Sequence, residues 1–148
     1  MAPTRVNGNR VLYKLLTSST AVMAECSNQV YGPPLGLPPK MSAPAKAIVF
    51  GNDGGPGNPD IPMASERFTM YCYGAEQPEA ISVFRTVADL LAPQSRRLAP
   101  QTVVYDTGVN VRVASFALEM GPADVPDPGN GWPRVVCAWR MTYAEAAA

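Results

Sequence analysis

Apolar residues recur along this chain with two different periods, and each change of period marks a new element. Val11, Leu12, Leu15 and Leu16 keep the spacing of one helical face. Ser18, Ser19 and Thr20 then break the pattern and offer a fresh N-cap. Ala21, Val22, Met23 and Ala24 are therefore expected in a short second helix, the two together occupying residues 9–26. A brief strand is expected at 29–31. Ala47-Ile48-Val49-Phe50, bounded by Pro44 and Gly51, reads as another strand. Residues 66–73 alternate, with Phe68, Met70 and Cys72 facing one way and Thr69, Tyr71 and Tyr73 the other, as in a strand covered on both sides.

The period then returns to that of a helix. Pro78 suits a first turn, Ile81, Phe84, Val87, Ala88 and Leu91 form one stripe, Glu79, Arg85 and Asp89 fall off it, and Pro93 stops the helix. Strands at 102–105 and 109–120 flank Asp106-Thr107-Gly108, where glycine can supply the positive φ of a hairpin turn. A phase change near Ala114 and Ser115 predicts a bulge. Residues 134–143 alternate, with Val135, Cys137, Trp139, Met141 and Tyr143 against Val136, Ala138, Arg140 and Thr142. The order predicts an α+β fold, a mainly antiparallel sheet packed against two or three helices in one domain spanning residues 1–148.

Proline and glycine change this picture by where they fall. They number 28 of 148 residues, with 14 of them in residues 32–62 and 7 in residues 121–133. Clustering of this kind predicts long loops, taken here as arms projecting from the domain at residues 51–65 and 121–133. Charge argues mainly by exclusion. Twelve basic residues balance twelve acidic ones, so no bulk field gathers nucleic acid or a membrane surface. Histidine is absent, which removes the commonest general base and the commonest zinc ligand. Cys26, Cys72 and Cys137 are too widely spaced for a zinc or dithiol motif and read as reduced thiols. The N-terminal residues lack the apolar segment of a signal peptide, and no apolar run reaches membrane-spanning length, so a soluble protein made in a cytoplasm is expected.

Several motifs invite chemistry. Val103-Val104-Tyr105-Asp106-Thr107-Gly108 has the apolar pair and Asp-Thr-Gly of an aspartic protease, whose two carboxylates a dimer would bring together through Asp106. The same residues make a plain hairpin turn, Asp106 capping and Gly108 turning, and nothing later in the chain resembles the rest of such a protease. The run from Gly51 to Asp60 lacks the Gly-Lys-Ser/Thr ending of a phosphate loop and the ligand series of a calcium loop, leaving a surface loop. Nine arginines against three lysines, among them Arg85, Arg96, Arg97, Arg112, Arg134 and Arg140, suit interface ion pairs better than DNA contact. Trp132, in a Pro/Gly loop, either folds back on the sheet or faces a partner, whereas Trp139 belongs in the core.

Taken in order, these pieces resemble the tail terminator (tail-completion) proteins of long-tailed bacteriophages. The resemblance rests on the leading helix with Val11-Leu12-Tyr13-Lys14-Leu15-Leu16, the Val30-Tyr31-Gly32-Pro33 element and the Pro-flanked Ala47-Ile48-Val49-Phe50 strand. It continues through Arg67-Phe68-Thr69-Met70-Tyr71-Cys72-Tyr73-Gly74 ahead of a helix and the closing strands to Tyr143. It implies a structural, non-enzymatic virion protein of the tail and neck, assembled in the bacterial host cytoplasm. Such a protein forms a hexameric ring that ends growth of the tail tube and offers a docking surface to the head connector. The partners implied are further copies of itself, the tail tube protein and the head-completion protein. No cofactor, metal, membrane or sequence-specific nucleic acid is expected, although DNA would pass through the lumen. Asp53, Asp60, Asp124, Asp127, Trp132 and Arg134, on the two arms, are the expected partner contacts. A head-closure or connector-adaptor protein, and a dimeric protease using Asp106, are the alternatives.

Overall fold

The computed structural model describes residues 6–32, 43–55, 63–93, 101–106 and 108–144, and among these residues six strands form one sheet accompanied by three helices. The chain runs α1 (Gly8–Ser18), α2 (Thr20–Glu25), β1 (Val30–Tyr31), β2 (Ala47–Gly54), β3 (Met63–Tyr73), α3 (Gln77–Leu91), β4 (Gln101–Asp106), β5 (Val109–Asp124) and β6 (Arg134–Ala144). The spatial order is β1-β2-β3-β6-β5-β4. Every pairing is antiparallel except β1 with β2, so the fold is α+β and its sheet is mixed. Placing β6 at the centre lets it pair along its whole length with β3, from Met63 opposite Ala144 to Tyr73 opposite Arg134.

The helices form as their caps and faces dictate. Asn7 caps α1 by accepting the Asn9 N–H at 3.0 Å, and Val11, Leu12, Leu15 and Leu16 are buried. Ser19 closes α1 through its own N–H to the Leu16 carbonyl and opens α2 by accepting the Val22 N–H, so one residue serves an orphan group of each helix. In α3 the buried residues are Ala80, Val83, Phe84, Val87 and Leu91. The stripe is thus turned slightly from the expected one, with Ile81 and Ala88 at its margin, because α3 packs between α2 and the central strands β3 and β6.

All three helices lie on one face of the sheet. The core there joins them to Phe68, Met70 and Cys72 of β3, to Val135, Cys137, Trp139, Met141 and Tyr143 of β6, and to the inward residues of the remaining strands. Trp139 is 1% exposed and stacks on Phe84 at 6.4 Å between ring centroids. The sheet curls into a half-barrel, and α1 touches both its edge strands, β1 and β4. All three cysteines are free and buried.

The arms differ from the expectation. Residues 51–54 belong to β2 and 63–65 to β3, so most described residues of the first arm are strand. Long β3 carries the ladder into this polar run, with Gly51 opposite Thr69 and Asn52 opposite Phe68. A bulge then leads to Gly54, at φ 79°. Asn52 makes the strand tolerable by donating to Asn9 Oδ1 at 2.9 Å and to Glu66, while its own Oδ1 accepts the Gly54 N–H. The second arm is also shorter, since β5 continues to Asp124 through register shifts at 113/115, 118/120 and 120/123. The first of these shifts is the bulge expected near Ala114 and Ser115. Asp60, Arg96, Arg97 and Thr107 lie outside the described residues.

Glu25 fastens α2 to its neighbours. Its carboxylate accepts the Ser82 hydroxyl of α3 at 2.7 Å and pairs with Lys46 Nζ at 3.0 Å. The Ser82 bond first, and Lys46 after it, hold the Glu25 carboxyl below its ordinary range. A lowered folded-state value contributes stability above the unfolded pKa and loses it as pH falls through the folded one. Melting temperature should therefore drop as acid is added below the ordinary carboxylate range, and Glu25→Gln, compared across the same titration, should flatten that drop.

Candidate functional site

The face of the sheet opposite the helices carries Thr69, Tyr71 and Tyr73 of β3 and their neighbours. At one end a small second cluster forms there. Ala47, Val49 and Tyr73 are its buried centre, and Tyr31, Tyr71 and Trp132 pack around them. Trp132 thus folds back on the sheet, and the 125–133 tip of the β5–β6 hairpin lies over this face instead of projecting.

Polar bonds hold the tip. Tyr73 donates its hydroxyl to Asp127 Oδ2 at 2.7 Å, and the Gly129 N–H donates to Asp127 Oδ1 at 2.8 Å. Arg134 stands 3.9 Å from the same carboxylate, donates from Nε to the Val125 carbonyl at 3.0 Å, and lays its guanidinium 4.4 Å from the Tyr71 ring centroid. The Tyr73 bond, then the Gly129 N–H and the nearby Arg134 charge, hold the Asp127 carboxyl below its usual range. Burial, and secondarily the bond to Asp127, push the Tyr73 phenol up. Both shifts keep the ground state fixed as a neutral phenol donating to a carboxylate.

Further along the same face the surface turns ionic. Arg67 lies 3.9 Å from Asp53 and 3.5 Å from Glu119, and Arg140 also pairs with Glu119. Thr69 donates to Asp53, and Arg140 reaches Ser65 at 3.4 Å. Two guanidiniums and two carboxylates make a locally neutral group that is partly open to solvent. Each such pair is worth roughly 0–1 kcal/mol to folding.

Of the six residues expected from the sequence, three therefore converge: Asp127, Trp132 and Arg134 meet at the hairpin tip. Asp53 joins the ionic group instead. Asp124 is exposed at the end of β5, opposite Val135, and Asp60 is outside the described residues. Tyr71, Tyr73, Arg67 and Glu119 complete the surface and were not anticipated, while Arg140, expected among the arginines suited to ion pairs, pairs with Glu119. The two tyrosines had a signal, since aromatic residues on the second phase of β3 imply that something covers that face. Arg67 and Glu119 had none, because only the β3–β6–β5 register brings residues 67, 119 and 140 together.

Asp106 sits where the turn reading puts it. It closes β4 opposite Val109, its side chain is 59% exposed, and it pairs with Arg10 at 3.6 Å while Gly108 takes φ 70°. Among the described residues, no three Cys, Asp or Glu side chains gather as a metal-binding group. At the other end of β3 and β6, a cavity of about 300 Å³ is lined by Met63, Arg112, Ala114 and Ala144. No helix among the described residues is long and apolar enough to cross a membrane. No protein-family model matches the chain, and no curated protein matches it. Aromatic rings at one end, beneath the hairpin tip, and guanidiniums and carboxylates further along thus share the sheet face opposite the helices.

Proposed function

We propose that this protein is a structural subunit of a phage tail, forming a ring of six copies at the head-proximal end of the tail tube. There it ends tube polymerisation and presents a face to the head connector. The observation that carries this reading is the order of elements. Two helices lead to the Val30-Tyr31 strand, then to a strand preceded by Pro44, then to β3 ending in Tyr73 ahead of α3, and last to three closing strands. This is the order on which the resemblance to tail terminators rests. The sheet face opposite the helices adds support, because it offers neighbouring subunits a partly exposed, neutral ionic group beside the hairpin tip. On this reading Asp53 and Asp124 are the acidic contacts most open to a neighbour, while Asp127, Trp132 and Arg134 shape the surface from within.

Light scattering on the purified protein, with and without its phage's tail tubes, tests the proposal. The expected result is a hexamer, or a monomer that becomes a six-fold ring on tube ends. Asp106→Ala is expected to leave that mass unchanged, since an exposed pair such as Arg10–Asp106 is worth only about 0–1 kcal/mol. A stable dimer that ignores the tubes would overturn the reading, and loss of a proteolytic activity in Asp106→Ala would replace it.

A further inference from the structure

The hairpin tip is joined to the rest of the protein in an unusual way. Its large apolar contact among the described residues, Trp132, belongs to the small cluster on the outer face, and the thickness of the sheet separates that cluster from the main core. Its backbone is closed by four bonds confined to one neighbourhood: Val125 N–H to the Arg134 carbonyl, Asp127 N–H to Trp132, Gly131 N–H to Asp127, and Gly74 N–H to Pro133. The β5–β6 ladder leading into it is already interrupted at 118/120 and 120/123. Nothing in this set reaches the helix side of the sheet.

We propose that residues 125–133 form a strap that opens as one cooperative unit while the core stays folded, uncovering Tyr31, Val49, Tyr71 and Tyr73. The physical reason is the separation of the two clusters. Opening unfolds the strap: it breaks the Tyr73–Asp127 and Arg134–Val125 bonds together with the strap's internal Asp127–Trp132 and Gly131–Asp127 bonds and exposes Trp132, but it takes no side chain out of the core shared by α1, α3, β3 and β6. Regions with few buried contacts open at free energies below that of global unfolding, and contiguous elements open together. The Tyr73 hydroxyl is the clasp, since it joins the strap's carboxylate to the centre of the sheet. This inference goes beyond the ring assignment and is independent of it.

Amide hydrogen exchange on the intact protein, read residue by residue, provides the test. In the wild type the amides of Gly74, Val125, Asp127 and Gly131 should share one protection factor, at least about tenfold below those of the β3–β6 ladder. Tyr73→Phe removes only the hydroxyl and should lower those four together by about tenfold, the equivalent of one strong hydrogen bond to a charged acceptor, leaving the ladder amides unchanged. Four unrelated rates in the wild type would overturn the proposal, as would exchange only through global unfolding. So would an equal loss across strap and ladder in Tyr73→Phe.

Discussion

Trp139→Ala is expected to destabilise the protein by about 3–5 kcal/mol, the range for emptying a buried aromatic site. Trp132→Ala should remove no more than about 1–2 kcal/mol, as for a half-buried side chain. The two tryptophans lie on one hairpin only seven positions apart, so composition does not separate them. Position in the sheet does. Trp139 sits at the centre of β6, stacks on Phe84 of α3 and is opposite Phe68 of β3, so its loss leaves a void where helix and sheet meet. Trp132 covers the outer face beside Tyr31 and Tyr71, and solvent can occupy the space it leaves. Against a typical total of 5–15 kcal/mol, the first change should leave a marginal or unfolded protein and the second a folded one. Urea midpoints of the two variants, measured side by side, decide the matter. Equal shifts would mean that the outer cluster is part of the core.

Gly121→Ala should be nearly as damaging, at about 2–4 kcal/mol from positive φ and steric overlap combined. Gly121 has φ 94°, and a Cβ added there would stand 2.5 Å from the Val136 carbonyl oxygen and 3.0 Å from Cys137 Cα. Both obstacles are backbone of the neighbouring β6, so no side-chain rotation relieves them. Gly131→Ala is the matched control. Its φ of 71° is also positive, but open space surrounds the added atom, so the expected loss is only about 1 kcal/mol of backbone preference. Thermal melts of the pair separate conformation from space. If Gly121→Ala loses no more than Gly131→Ala, β5 has room to move away from β6 at this point, and the close approach is not a requirement of the fold.

Much of this architecture was legible in the pattern of apolar residues. The period of 3.6 located α1, α2 and α3, and Ser19 was visible as the break between the first two, because caps and amphipathic faces are local properties. The alternation in 66–73 and 134–143 named the inward residues of β3 and β6 correctly, Trp139 among them. The turn at Asp106 and the bulge near Ser115 were likewise written in short-range signals. Where reading failed, it failed over polar strand ends. Asn52 and Gly54 look like loop residues, and they become strand because β3 is long enough to pair with them and Glu66 and Asn9 satisfy the Asn52 side chain.

The surface was harder to see for the same reason. Asp127, Trp132 and Arg134 were marked individually as residues of a Pro/Gly loop, but the loop's folding back depends on Tyr71 and Tyr73, more than fifty residues earlier. The ionic group of Asp53, Arg67, Glu119 and Arg140 draws on four strands. By itself, then, the sequence determined where the helices and the apolar parts of the strands lie and which of their faces must leave water, since both follow from the spacing of side chains along one backbone. Only the tertiary structure decided the strand order, the parallel edge and the partners across the outer face. Those depend on which distant segments pair, and pairing is settled by burial summed over the whole sheet, not by any local run of residues.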